Sequence, residues 1–191
     1  IDYIYLSRAE RQIFTQSAHE YLIEQVQTTK IEITKKNKER ILLDLRHPCK
    51  ELIWVLQKKE FTKNRNGNHK CRWDNYTPNI NNKGHSISKA ILDINNFPRF
   101  EHDNIFLNYV SPYQHHKNTP SDGIYVYSFS MHPEEHQTTG TCNFTRINKS
   151  ILSLWINQEM FDDCEELILW VFAPSINIIR VISGFAALAW Y

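Results

Sequence analysis

The chain has 191 residues, a formal net charge of +1 at pH 7, and 41% hydrophobic and 23% charged residues. These proportions are ordinary for one globular domain, and they exclude a collagen-like or wholly disordered chain, each of which has a strongly biased composition. A net charge near zero also excludes a strong overall attraction to nucleic acid or to an anionic membrane.

The N-terminal residues predict a short strand followed by a helix. Residues 2–6 alternate between two faces, as in a strand. The run S-R-A-E that follows has the spacing of a helix capping box, and apolar residues then recur at helical spacing as far as Val26. We therefore predict a strand at residues 2–6 and a helix over residues 8–25.

From residue 30 onward the hydrophobic period falls to two, which is typical of strands. One short helix is expected within this region, capped by Asp103 and preceded by a turn at Asn95 and Asn96. A turn at Pro174 is expected to separate the last two strands. The predicted strands lie at residues 30–34, 41–45, 52–56, 87–94, 123–131, 151–156, 167–172 and 176–188.

Eight strands after one helix, with long connections, predict an all-β fold, and an eight-stranded jelly-roll sandwich has that number of strands. In the strand at 123–131, the large side chains of Tyr125, Tyr127, Phe129 and Met131 share one face, which is expected to point into the core. Residues 58–86 are rich in Lys, Asn and His and predict one long loop, and loops of that length are usually functional.

The apolar C-terminal run, residues 167–191, raises the question of a membrane span. Pro174, Asn177 and Arg180 lie in its middle, where each would be costly in hydrocarbon. Buried strands are therefore the better interpretation. The chain begins with Ile rather than Met and carries no signal segment at its start, so we expect it to be part of a longer polypeptide.

Cysteine spacing and glycosylation motifs leave two questions open. No C-x-x-C pair is present, so two disulfides are possible but reduced thiols are favoured. The four cysteines are Cys49, Cys71, Cys142 and Cys164. Three N-x-[ST] motifs occur, at Asn75, Asn143 and Asn148, and they matter only in a protein that enters the secretory pathway.

One segment formally matches a zinc-hydrolase pattern. His132, Glu135 and His136 fit H-x-x-E-H, in which two histidines one helical turn apart hold zinc and the glutamate acts as base. Here the motif ends a predicted strand, contains a proline and runs into a turn, so zinc hydrolysis is only an alternative. The remaining histidines lack the spacing of a metal site. They include His69, His102, His115 and His116.

The basic part of the long loop could bind nucleic acid, because its cations alternate with Phe61 and Trp73. Such interleaving is unspecific, and a solvated outer loop is favoured. The cations are Lys58, Lys59, Lys63, Arg65, Lys70 and Arg72. We therefore predict no catalytic, cofactor-binding or metal-binding residues, and a protein that is not an enzyme.

Three segments together resemble the major capsid proteins of the nucleocytoplasmic large DNA viruses. The most specific is GIYVYSFSMHPEEHQTTGTCNFTRI at residues 123–147, which contains a strand, a P-E-E turn and an N-F-T-R run in the family's order. The others are YIYLSRAERQIFTQSAHEYLIEQVQ at residues 3–27 and INIIRVISGFAALAWY at residues 176–191. The resemblance covers nearly the whole chain, but only the C-terminal portion of such a protein.

The resemblance implies a double jelly roll of which this chain is the second roll. Residues 1–6 would be the last strand of a missing N-terminal roll, 7–27 the linking helix, and 28–191 the C-terminal roll. Loop 58–86 would join the third and fourth strands and build the outward tower of the capsomer.

The implied function is structural. The family forms homotrimeric, pseudo-hexagonal capsomers of an icosahedral virion, which is assembled in the host cytoplasm. The implied partners are neighbouring capsomers and minor capsid and vertex proteins. The resemblance implies no specific nucleic acid, no membrane span and no cofactor. The family's Pro-Ser-Gly turn is replaced here by Thr138, Thr139 and Gly140. That departure leaves a minor capsid paralogue as one alternative. A jelly-roll carbohydrate-binding module is another, because the same architecture serves lectins.

Overall fold

A computed structural model describes residues 2–34, 37–62, 72–162 and 166–190. Antiparallel strands predominate in these ranges. In chain order the strands are β1 (His19–Thr34), β2 (Lys38–Leu42), β3 (Pro48–Cys49), β4 (Glu51–Lys58), β5 (Ile87–Ile94), β6 (Phe97–Asp103), β7 (Ile124–Ser128), β8 (Cys142–Asn143), β9 (Ser150–Ile156), β10 (Glu166–Ile182) and β11 (Phe185–Leu188). The helices are α1 (Arg8–Gln16), α2 (Lys59–Thr62), a π-helical turn (Phe106–Val110) and α3 (Ser111–His115), with 3₁₀ turns at Phe144–Arg146 and Gln158–Phe161.

The strands form two sheets with the pairing of a jelly roll. One sheet has the order β2-β9-β5-β6, and the other contains β7-β4-β10 with β1 also paired to β10. Among the eight long strands, the first therefore pairs with the last, the second with the seventh, the third with the sixth and the fourth with the fifth. This nested antiparallel pairing is a long hairpin rolled into a sandwich, and it confirms the predicted jelly roll.

An aromatic cluster joins the two sheets at the centre of the core. Trp54 of β4 and Tyr125 of β7 are fully buried, and their rings stack 6.2 Å apart. Phe100 reaches them from the other sheet, with its ring 6.3 Å from that of Trp54. Strand β4 is buried on both faces, as its continuous apolar run predicted.

The predicted helix over residues 8–25 is wrong in its second half. Helix α1 has the expected capping box but ends at Gln16, where Ser17 takes an extended conformation. From His19 the chain forms β1, which pairs with β10 along all sixteen of its residues. The proposed linking helix at 7–27 is therefore a helix of nine residues followed by the start of a strand.

The side chains of β1 explain why its strand pattern was hidden. The half-buried positions include the polar residues Gln25 and Gln27, while Val26 between them faces the other way and is 61% exposed. Tyr21, on the same face as Gln25, is 46% exposed. Gln25 accepts a hydrogen bond from Asn177, and Gln27 donates one to Ser175. Because some half-buried positions are polar and some apolar side chains are exposed, the apolar positions alone mimic helical spacing.

The predicted strand at residues 2–6 is also wrong. These residues adopt no regular structure, and Tyr3, Ile4 and Tyr5 are 76%, 87% and 91% exposed. A strand requires a hydrogen-bonded neighbour, and no neighbour for this segment lies in the part of the chain that the structure describes.

The predicted number of eight strands equals the number of long strands in the structure, but only because two errors cancel: one strand was missed and another was predicted as two. Strand β6 was missed because Pro98 and three charged residues hide its alternation, and β6 lies at a sheet edge, where such residues are tolerated. The two C-terminal strands at 167–172 and 176–188 are instead the single strand β10, which runs through Pro174, followed by the short β11. The proline turn was therefore wrong.

Pro174 fits within β10 because of the direction in which its carbonyl points. That carbonyl accepts a hydrogen bond from the backbone N–H of Lys50, at 2.8 Å, in the gap between β3 and β4. The N–H and C=O of a strand residue point to the same side, so the missing N–H of proline also faces this gap and not β1. The carbonyl of Lys50 instead accepts hydrogen bonds from the N–H groups of Phe129 and Ser130.

The other local predictions have mixed outcomes. Asp103 does cap the helical segment that follows it, accepting from the N–H of Phe106, and the turn at Asn95 and Asn96 closes the β5–β6 hairpin with two positive φ angles. Met131, however, lies beyond the end of β7 and is 66% exposed, so it does not belong to the core face.

Candidate functional site

The segment that carries the most specific family resemblance contains a largely exposed turn between β7 and β8, residues 129–141, which we call the signature turn. Its main anchor is Lys50, whose residue surface is only 1% exposed. The Nζ atom of Lys50 donates to the carbonyl oxygen of Glu135 in the turn at 2.6 Å and lies 2.5 Å from Oε1 of Glu24 on β1. The buried lysine therefore ties the turn to the first strand.

A second anchor is the imidazole of His116, which follows α3. Its Nε2 lies 2.8 Å from Oε2 of Glu51 on β4, and its Nδ1 lies 3.5 Å from Oε1 of Glu134 in the signature turn. The hydrogen bond to Glu51 is the largest cause of a raised pKa of His116, and burial opposes it. Lys117 adds a weaker contact, with Nζ 3.9 Å from Glu134.

The zinc-hydrolase alternative lacks the geometry that its chemistry needs. The signature turn contains no helix, so His132 and His136 do not lie one turn apart on a helical face. The backbone N–H of His132 donates to the hydroxyl of Thr139, and Glu135 is held through its carbonyl. Across the described ranges, no three His, Cys, Asp or Glu side chains are placed to share a metal ion.

Three of the predicted cations of the long loop, Lys58, Lys59 and Arg72, lie in the described part of the chain and are engaged within the protein. Lys58 is 3% exposed and points to the carbonyl of Glu159, and Arg72 donates to the carbonyl of Ile80. Lys59 pairs with two carboxylates of neighbouring strands. Lys63, Arg65 and Lys70, together with His69 and Cys71, lie outside the described residues. These three cations therefore stabilise the loop and do not form a free surface for binding phosphate.

Exposed apolar side chains are concentrated where β1, β10 and β11 extend beyond the end of β4, and we call this extension the arm (residues 19–26, 174–182 and 185–188). Strand β4 pairs with β10 only as far as Phe172. Ten of the eighteen exposed large hydrophobic side chains in the described ranges lie on the arm, α1 and the adjoining termini. They are Tyr3, Ile4, Tyr5, Leu6, Ile13, Tyr21, Val26, Ile182, Phe185 and Trp190. Such a concentration indicates an interaction surface.

A smaller apolar surface lies on the helical segment between β6 and β7. Ile105, Tyr109 and Tyr113 recur every four residues on one face and are 57%, 57% and 72% exposed. The two tyrosine rings stack 6.2 Å apart. At the end of the same segment, the imidazole of His115 contacts the carbonyl of Met131 at 3.1 Å, and the Met131 residue is exposed.

The glycosylation motifs differ in accessibility. Asn75 is fully buried, and its side-chain amide donates to the carbonyl of Asn79 at 2.8 Å, so the folded protein cannot present it. Asn143 and Asn148 are exposed. Cys49 and Cys142 are free thiols on paired strands, and Cys164 lies outside the described residues, as does Cys71.

Comparison with known proteins identifies the family. The family model described as the large eukaryotic DNA virus major capsid protein matches residues 10–187. This chain belongs to that family. It is 31% identical to the major capsid protein of Phaeocystis pouchetii virus, over all of this chain and 52% of that protein. It is 34% identical to the major capsid protein of Pyramimonas orientalis virus, over all of this chain and 48% of that protein.

The fold agrees with the sequence relationship. The structure superimposes on PBCV-1 VP54 with a TM-score of 0.77 and 27% identity, covering 99% of this chain and 55% of that chain. The predicted resemblance to the capsid family is therefore confirmed. The capsid chain spans about half the length of the curated relatives that it matches.

The sequence did not point to Lys50, His116 or the arm. A lysine before an apolar strand and a histidine in a polar run are common, and nothing in their spacing links them to the signature turn. The arm was hidden because the first half of β1 was predicted as helix. The signature turn, by contrast, was found from its residues alone.

Among the described residues, no helix is both long and apolar enough to cross a membrane.

Proposed function

We propose that this chain is the C-terminal jelly roll of a major capsid protein with two such rolls, and that its role is structural rather than catalytic. The observation that carries the proposal is the match in fold and sequence to capsid proteins about twice as long. In this proposal residues 2–6 lead out of the preceding roll and α1 connects the two.

The exposed apolar side chains of the arm and of the N-terminal segment support this proposal because nothing in the described part of the chain covers them. Phe185 is 82% exposed, and Ile4 and Tyr5 are more exposed still. Exposed apolar area of this kind costs about 25 cal/mol for each Å² that stays in water. A preceding domain of similar size, or a neighbouring copy, would bury it.

We further propose that three copies form a pseudo-hexagonal capsomer of an icosahedral virion shell, assembled in the host cytoplasm. Neighbouring capsomers and minor capsid and vertex proteins are the proposed partners. Trimer contacts of an obligate assembly would bury upwards of about 2,000 Å². Repetition of modest contacts between capsomers then stabilises the lattice.

The experiment is purification of the protein from its whole reading frame, followed by light scattering and electron microscopy. The expected result is a particle of three protomer masses with a hexagonal outline. A well-folded monomer at micromolar concentration would contradict the proposal. Phe185→Ser should weaken trimers or domain docking, whereas Leu42→Ser, a substitution at a position 63% exposed on the other sheet, should not.

Copy number distinguishes the major from the minor capsid role. Quantitative mass spectrometry of purified virions should find this protein as the most abundant shell component. A copy number of only a few per vertex would favour a minor capsid paralogue. Binding of the purified monomer to a glycan array, without virion incorporation, would favour a carbohydrate-binding module.

A further inference from the structure

We propose that His116 is a pH-sensitive latch, which links Glu134 of the signature turn to Glu51 of β4 only while its imidazole carries both protons. This inference concerns the turn of the single chain and does not depend on the assembly proposed above. It rests on the position of one imidazole between two carboxylates that belong to different elements.

The two carboxylates differ in their access to water. The side chain of Glu51 on β4 is 8% exposed, whereas that of Glu134 in the turn is 37% exposed. A doubly protonated imidazole can donate to both at once, with Nε2 toward Glu51 and Nδ1 toward Glu134. His116 then joins the signature turn to the core.

A neutral imidazole has one N–H and can donate to only one carboxylate. Buried Glu51 cannot exchange its partner for water without a desolvation cost, so the remaining proton stays on Nε2. Nδ1 then presents a lone pair to the oxygen of Glu134, and that contact becomes repulsive. Because Glu134 can be hydrated, its contact with the imidazole is the one that is lost.

The other groups around the latch do not link Glu134 to Glu51. The backbone N–H of Lys117 donates to the same Oε1 of Glu134, at 3.3 Å, and this hydrogen bond does not depend on the protonation of His116. Lys117 lies beyond Glu134 at 3.9 Å and is 85% exposed, so its attraction is largely screened by water. His115 contacts only the carbonyl of Met131 within the turn. On the far side of the turn, Lys50 holds the carbonyl of Glu135 and keeps that end in place.

The direction of the pH effect follows from the raised pKa of His116. A histidine whose pKa is higher in the folded state contributes stability that is fully present below its ordinary value of 6.5 and is lost as pH rises through the folded value. The latch is therefore closed in mildly acidic solution and open in mildly alkaline solution.

The test is hydrogen exchange of residues 131–139 in the protein expressed from its whole reading frame, with protection corrected for intrinsic exchange at each pH. Between pH 6 and pH 8.5 we expect protection of the turn to fall about two- to five-fold, the range for a partly exposed ion pair. Exchange of the imidazole C2 proton, followed by mass spectrometry, reports the titration of His116 itself.

Two exposed glutamates provide matched variants. Glu134→Gln should abolish the pH dependence of turn protection and lower the pKa of His116. Glu135→Gln makes the same chemical change at the next residue, whose carboxylate does not face the imidazole, and should behave as the unsubstituted protein. Equal pH dependence in Glu134→Gln and Glu135→Gln, or a flat profile in the unsubstituted protein, would overturn the proposal.

Discussion

The ammonium group of Lys50 lies 2.5 Å from the carboxylate of Glu24, and only the carboxylate reaches solvent: the two side chains are 1% and 41% exposed. The same ammonium group donates to the signature turn through the carbonyl of Glu135. A single buried cation thus connects the first strand of the jelly roll to the segment that identifies the family. Its removal should therefore affect both.

Lys50→Met should lower the free energy of unfolding by about 1–3 kcal/mol, because two charge-assisted hydrogen bonds are lost while Glu24 can be hydrated. Urea unfolding followed by tryptophan fluorescence measures this loss. Lys149→Met, at an exposed lysine, should change stability by no more than about 0.5 kcal/mol. Equal stability of the two variants would show that the buried contacts contribute nothing.

Tyr125→Phe should destabilise the protein by about 1–3 kcal/mol. The hydroxyl of Tyr125 accepts from the backbone N–H groups of Ser86 and Ile87, at 2.9 and 3.2 Å, and all three residues are fully buried. Phenylalanine keeps the ring but leaves both donors without a partner. Tyr113→Phe is the matched control because that side chain is 72% exposed, and thermal unfolding should distinguish the two variants.

Gly123→Ala should cost at least about 3 kcal/mol, since it combines backbone strain with a steric clash. Gly123 has a φ of +86°, and an added Cβ would lie 2.4 Å from the carbonyl oxygen of Tyr76. Gly184 has nearly the same φ, +81°, but its added Cβ would meet only a methyl group of Thr15 at 3.4 Å.

Gly184→Ala should therefore show the strain alone, about 1 kcal/mol. The difference in the free energy of unfolding between the two alanine variants isolates the clash. If both variants lose the same free energy of unfolding, the backbone at Tyr76 can move away from residue 123 and relieve the clash.

Cys49 should resist alkylation in the folded protein. Burial raises its pKa to about 12, so only about one molecule in ten thousand carries the reactive thiolate at pH 8. Iodoacetamide treatment followed by peptide mapping should leave Cys49 unmodified in buffer and label it fully in urea. Rapid labelling of Cys49 in buffer would mean that the β3–β8 pair opens readily.

The extent to which sequence predicted structure varied with the environment of each segment. Strands β4, β5 and β9 were predicted within one or two residues because core packing gives them clear alternating or continuous apolar runs. Strand β6 was missed because an edge strand tolerates proline and charge. The first half of β1 was assigned to helix because its half-buried residues Gln25 and Gln27 are polar.

The sequence by itself determined the fold class, the family and the position of the signature turn, because these depend on local patterns of residue type and spacing. Only the tertiary structure decided that β10 runs unbroken through Pro174 and that Lys50 and His116 hold the signature turn. The physical reason is that both features depend on partners far away in the chain. A backbone carbonyl or a buried carboxylate offered by another strand leaves no mark on the neighbouring sequence.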